Sequence, residues 1–308
     1  MAYEPPIENG TATGTTTLGA AYTRHDITFV NRDAYVYAPA RTTAWTHTSL
    51  LFIIHGMTGT RAFAEEPLGL PHLEMALDRG WVVVSASNGN LWGNQQVMTD
   101  FRNLYEYAAR RWWIDHTITY GHSMGGMASL VVGGRAEVPD LAGVGSLNGM
   151  IDTQAYHSST TLSAFNASTW EELLVKQAGY DPVRDDPARW AGLPVLLITT
   201  PGDGSLAQAE DFIARAVTPE TITHVNGSHT HVQNPFIAEV NAWLASLAPE
   251  YVDGQEIGQQ PVPKWPGWDD EPEPPTPGPA GSGVFDTSGA EVSLFTTSGA
   301  LVSLSATG

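Results

Sequence analysis

Residues 116–135 read HTITYGHSMGGMASLVVGGR. The opening HTITYG reads as a short strand, and Met124–Arg135, rich in small and apolar residues, reads as a helix. Between them stands Gly121-His122-Ser123-Met124-Gly125-Gly126. Glycines two before and two after a serine permit a turn too sharp for bulkier residues, and such a turn presents the hydroxyl at the sheet's edge. Ser123 is the candidate nucleophile. The competing reading is an ordinary Gly-Ser turn between a strand and a helix, so the flanking pattern has to decide.

Outward from this turn, short apolar runs alternate with helical stretches. SLLFII (49–54) precedes a helix near His72–Asp78, then WVVVSAS (81–87) and a helix from about Gln95 to Trp112. Val97, Phe101, Leu104, Tyr105 and Ala108 recur at three- and four-residue spacing, which predicts one apolar core-facing stripe. AGVGSLNG (142–149), LPVLLITT (193–200), a helix near Leu206–Ala216, TITHVNGSH and the helix FIAEVNAWLASL continue the pattern. Strict alternation predicts a mostly parallel sheet flanked by helices, because each parallel crossover needs a connection long enough to hold a helix. DITFV and AYVYA, around Asn31-Arg32-Asp33, predict a hairpin at the sheet's antiparallel edge. The alternation lapses over residues 153–192, read as a small lid insertion whose one firm helix lies near Trp170–Ala178.

Composition excludes several function classes. The 308 residues carry 14 basic and 33 acidic side chains, a formal net charge of −19, so no basic face is available to bind nucleic acid or an anionic membrane. No cysteine is present, which removes disulfides, thiolate nucleophiles and cysteine-ligated metal sites together. No run approaches the roughly 20 apolar residues needed to span a bilayer. The opening residues have neither a basic start nor an apolar stretch of signal-peptide kind, so no classical export signal is expected. A virion-associated, cytoplasmic or non-classically exported protein fits that expectation. No cofactor and no metal is expected, since histidines spaced by two without a third fixed ligand make a weak metal signal.

Three further features surround Ser123. His55-Gly56-Met57-Thr58-Gly59 follows the first buried strand, where backbone N–H groups can point at a substrate oxygen. Pro201-Gly202-Asp203-Gly204 places a carboxylate just past LLITT. Asn226-Gly227-Ser228-His229 precedes the last helix. Asp203 also reads as a helix N-cap, with Asp152 as the alternative acid, and His231 and His224 compete with His229. His55 and His122 read as packing or supporting groups.

With HGMTGT, GHSMGG, PGD and GSH in this order, residues 25–248 resemble an α/β-hydrolase, most closely the branch of lipases, dienelactone-hydrolase-like esterases and cutinase-like polyester hydrolases. The resemblance implies a serine esterase with Asp203 as acid, His229 as base and the N–H groups of Met57 and Met124 as oxyanion donors. His55 stands where the polyester-hydrolase loop often has proline, and that subgroup's disulfide is impossible here, which points away from polyester. The chemistry needs such a set. A serine hydroxyl is a poor nucleophile at neutral pH, so an imidazole must take its proton and a carboxylate must orient the ring. The implied substrate is an ester of a small molecule, lipid or acylated polymer.

The ends read differently. Residues 1–24, rich in Gly, Thr and Pro without period, are expected to be a mobile lead-in. Residues 249–282 read as an acidic linker, with eight prolines between Pro261 and Pro279. Residues 283–308 hold two copies of a decapeptide, FDTSGAEVSL from Phe285 and FTTSGALVSL from Phe295, predicting a small β-repeat tail. This tail resembles terminal segments of bacteriophage tail proteins, which implies virion or surface proteins as partners.

Overall fold

The computed structural model describes residues 5–29, 32–42, 46–89, 92–152, 158–200, 204–214, 220–223, 236–251, 292–295 and 301–304. The chain divides between residues 264 and 265 into two units. In the first, nine strands form one sheet: β1 (Ile7–Thr15), β2 (Ala21–Phe29), β3 (Arg32–Pro39), β4 (His47–Ile54), β5 (Val82–Ala86), β6 (Trp113–His122), β7 (Leu141–Leu147), β8 (Val195–Thr199) and β9 (Glu220–Thr223). Their spatial order is β1-β2-β3-β5-β4-β6-β7-β8-β9. β1 to β3 are antiparallel to their neighbours, and β5, β4, β6, β7, β8 and β9 run parallel.

Helices occupy the crossovers, as parallel pairing requires. They are α1 (Leu70–Asp78), α2 (Gln95–Ala109), α3 (Met124–Arg135), α4 (Ser159–Ala164), α5 (Trp170–Lys176) and α6 (Gly204–Ala214), and α7 (Ile237–Leu247) follows the last strand of the sheet. Covered on both faces, β4 and β5 are buried almost throughout, which is why their sequences are unbroken apolar runs rather than alternating ones. On one face Leu73 and Leu77 of α1 and Val240 and Leu244 of α7 join a core cluster with Leu51, Ile53 and Tyr120 of the sheet. On the other, Phe52 meets Phe101 of α2 edge-on, ring centroids 5.0 Å apart. The expected edge hairpin is present as β2 paired antiparallel with β3, from Tyr22↔Pro39 to Phe29↔Arg32.

Two expectations need correction. Residues 7–15 are not an unstructured lead-in: they form β1, paired along β2 from Ile7↔Thr28 to Thr15↔Ala21. The strand lacks hydrophobic alternation because both its faces are exposed over most of its length, so no periodic signal was there to read. The lid, between β7 and β8, holds a second helix, α4, besides α5. α4 is six residues, too short for a periodic signal, and is set by Ser158, whose hydroxyl caps the Thr161 N–H. The contacts of the first unit also run past residue 248: the Trp81 indole donates to the Pro249 carbonyl at 2.7 Å and the Tyr251 N–H to the Arg79 carbonyl at 2.8 Å.

In the second unit, β10 (Val292–Phe295) and β11 (Leu301–Leu304) pair antiparallel, Val292 opposite Leu304. β11 lies within the second decapeptide copy, and β10 takes Val292–Leu294 from the first copy and Phe295 from the second.

Candidate active site

β6 ends at His122 and α3 begins at Met124, leaving Ser123 alone at the bend with φ 54° and ψ −119°. Side-chain-bearing residues avoid this region at a cost of about 1 to 3 kcal/mol, so the surrounding structure must impose it. It does so from both sides. The Ser123 N–H donates to the Leu147 carbonyl of β7 at 2.9 Å, and the Ser123 carbonyl accepts from the N–H groups of Gly126 and Met150 at 3.0 and 3.2 Å. The flanking glycines are fixed by backbone lying on backbone. A Cβ on Gly121 would sit 2.1 Å from the Gly125 carbonyl oxygen, and one on Gly125 would sit 2.4 Å from the carbonyl oxygens of both Ile54 and His55. Ser123 itself is 8% exposed, at the carboxyl end of the central strands.

The loop after β4 lies directly against it. A Cβ on Gly56 would be 3.2 Å from the Ser123 Cβ and 3.1 Å from His122 Nδ1. His55 braces this loop from beneath. Its buried ring accepts the Asn88 N–H on Nε2 at 3.0 Å and donates from Nδ1 to the Gly56 carbonyl, which requires the neutral Nδ1–H tautomer. Burial lowers its pKa below the ordinary histidine value, in keeping with that neutral state. The Gly59 N–H closes the turn on the Gly56 carbonyl at 3.1 Å. Met57 follows Gly56 and is 36% exposed, whereas Met124 is buried. As the first residue of α3, Met124 carries an N–H with no acceptor inside its own helix, at the end where the helix dipole favours negative charge. The structure thus sets Gly56, the residue before Met57, against Ser123, with Met124 next to it in sequence. His122 packs as expected, stacked on Phe63 at 6.1 Å.

Asp203 lies in sequence between β8 and α6, and His229, His231 and His224 between β9 and α7; all four fall outside the described residues. Asp152, the alternative acid beyond β7, is among the described residues. Its carboxylate pairs with the Arg184 guanidinium of the lid at 2.6 Å, and its N–H donates to the Gln208 side chain at 2.8 Å. Sequence reading missed α4 as a neighbour of the site: the Thr160 hydroxyl lies 3.9 Å from the Met57 sulfur, and Asn94, the N-cap of α2, donates to the Ala164 carbonyl. Among the described residues no helix is long and apolar enough to cross a membrane.

This sheet order, with a serine on a strained strand-to-helix bend and a glycine loop packed against it, defines the α/β-hydrolase fold. Solved structures agree. An acetyl xylan esterase from Paenibacillus sp. R4 superposes with a TM-score of 0.55 at 14% identity, over 78% of this chain and 89% of that one. The fluorophosphonate-binding serine hydrolase F of Staphylococcus aureus gives 0.54 at 12% identity, over 79% and 99%. An esterase structure from Rhizomucor miehei gives 0.50 at 14% identity, over 80% and 84%. No family model and no curated protein sequence matches the chain.

Proposed function

We propose that the protein is a serine ester hydrolase. Ser123 attacks the ester carbonyl, His229 takes its proton and later returns it to the leaving alcohol, and Asp203 holds the ring and stabilises the imidazolium. The tetrahedral oxyanion forms against the N–H groups of Met57 and Met124, and water releases the acyl group from Ser123 by the reverse path. The observation that carries this reading is the backbone of Ser123, φ 54° and ψ −119°, held beside the Gly56 loop. Strain of that kind needs a use, and a reactive hydroxyl aimed past the sheet's edge supplies one. The named activities of the structural neighbours, esterases and a serine hydrolase, support the same class. Asp203 is favoured over Asp152 because Asp152 is ion-paired with Arg184. The substrate is an ester of a lipid or an acylated polymer, admitted between the Met57 loop and α4. Turnover of p-nitrophenyl butyrate tests the reading: the wild-type chain should hydrolyse it, and Ser123→Ala should fall to background. Wild-type protein without turnover would remove it.

The second reading concerns deployment. The pairing of β10 with β11 gives the repeated decapeptides a folded form, suited to attachment within a virion tail or a cell surface, with the hydrolase directed at an envelope ester or retained as a binding module. Removing residues 252–308 should then leave small-ester turnover intact and abolish incorporation into the larger assembly. Incorporation that survives the deletion would count against it.

A further inference from the structure

β1 ends the sheet, and among the described residues no strand pairs with its outer edge. Such an edge is a template for another strand, and folded proteins commonly blunt it with lysine, proline, bulges or a covering segment. Here the blunting is confined to one end. Pro5 and Pro6 lack N–H groups, and a bulge falls between Glu8 and Gly10; from Gly10 to Thr15 the register is regular. The edge is also held rigid at both ends. Glu8 accepts from the Tyr107 hydroxyl of α2 at 2.7 Å, and the Thr17 hydroxyl and N–H donate to Glu74 of α1 at 2.8 and 3.0 Å. A fixed edge pays little ordering entropy when a partner strand adds to it.

We propose that β1 is the dimer interface of this protein, pairing antiparallel with β1 of a second copy about a two-fold axis through Thr13. Three observations select a second copy as the occupant. Asn9–Leu18, NGTATGTTTL, carries no charge in a chain of net charge −19, so it is a place where two copies can meet without opposing carboxylates. Leu18 and Ile7, 83% and 68% exposed, are two of the three most exposed large apolar side chains among the described residues. Leu18 stands five residues from Thr13 and Ile7 six, one of which the bulge between Glu8 and Gly10 takes up, so antiparallel pairing brings Ile7 of each copy toward Leu18 of the other, twice over. Beside Leu18 lies an open groove of about 820 Å³, in which Pro71, Met75 and Ala245 stand among charged side chains that include Arg41, Glu74 and Asp78, and the other copy's Ile7 end is delivered to its rim. The arrangement is isologous and closed, with Thr13 opposite Thr13 of the other copy, so it consumes the β1 edge and stops at two.

Sedimentation equilibrium of the full chain tests this. The wild type should show twice the monomer mass at tens of micromolar. The variant Thr13→Lys sets like charges about 5 Å apart across the axis and should weaken the dimer at least tenfold. The position is exposed, so folding should survive, which circular dichroism checks. Mixing that variant with Thr13→Glu should restore a dimer containing one copy of each. A monomer at every loading up to roughly 0.2 mM, where a dimer of sub-millimolar Kd would show, overturns the proposal. So does an oligomer that the lysine variant leaves unchanged, since that one is built by the tail or another face.

Discussion

At the scale of single residues, the site depends on glycines whose missing Cβ leaves room for backbone. Gly125→Ala would push a methyl group within 2.4 Å of two carbonyl oxygens on the loop side, so α3 and the Gly56 loop must part. The expected loss is about 2 to 4 kcal/mol in thermal unfolding, with most of the esterase turnover. An alanine variant as stable and active as the wild type would show that this packing is not what holds the bend. His55 is a positioning residue. His55→Phe keeps a ring but removes both hydrogen bonds, freeing the loop from Asn88 and from Gly56. On p-nitrophenyl butyrate we expect kcat to fall roughly tenfold to a hundredfold with KM little changed, because a displaced donor costs most in the transition state. A rise in KM at unchanged kcat would assign His55 a binding role instead. Ser123 was legible in the sequence because the glycine spacing is itself the steric requirement. The use of His55 was not, since its partner Asn88 stands 33 residues away and only the fold brings them together.

At the scale of elements, the buried parallel strands announced themselves, because covering both faces forces unbroken apolar runs. β1 and α4 did not. One is exposed on both faces and the other is a single capped turn and a half, so neither carries a periodic core face. The contact between α1 and α7 has its own pH signature. His72 Nδ1 meets the Asn241 side-chain oxygen at 2.6 Å and its ring packs edge-on to Tyr120 at 4.8 Å. Burial lowers its pKa to about 4 from an ordinary value of 6.5. The unfolded chain therefore takes up a proton below about pH 6.5 while the folded chain does not until near pH 4. The stability this group supplies is complete above pH 6.5 and drains away as pH falls toward 4, by on the order of 3 kcal/mol. Urea unfolding at pH 7 and pH 4.5 should show a smaller loss on acidification in His72→Leu than in the wild type. Equal losses would mean that His72 is not held neutral by the core.

At the scale of the whole molecule, the first unit is closed by its last described residues at the amino ends of its strands, away from Ser123. Tyr251 donates its hydroxyl to Asp115 of β6 at 3.0 Å, His47 of β4 meets the same carboxylate at 2.8 Å, and Arg79 donates to the Ala248 carbonyl at 3.0 Å. Composition alone put the boundary at residue 248, where prolines and acids begin to accumulate; the contacts of Pro249 and Tyr251 are long-range and left no mark on local sequence. A chain ending at Tyr251 should therefore melt with the first unit of the wild-type chain. One ending at Ala248 should lose about 2 to 4 kcal/mol, or roughly 5 to 10 °C in Tm. Equal melting of the two truncated chains would contradict this closure.

The account as a whole rests on the reactivity of one hydroxyl, and the most direct measurement is covalent. The protein should be treated with a fluorophosphonate at neutral pH and its intact mass and peptides read by mass spectrometry. One adduct per chain, on the peptide containing Ser123 and absent from Ser123→Ala, is the predicted result. No adduct on the folded wild-type chain, or labelling that persists undiminished in Ser123→Ala, would contradict it.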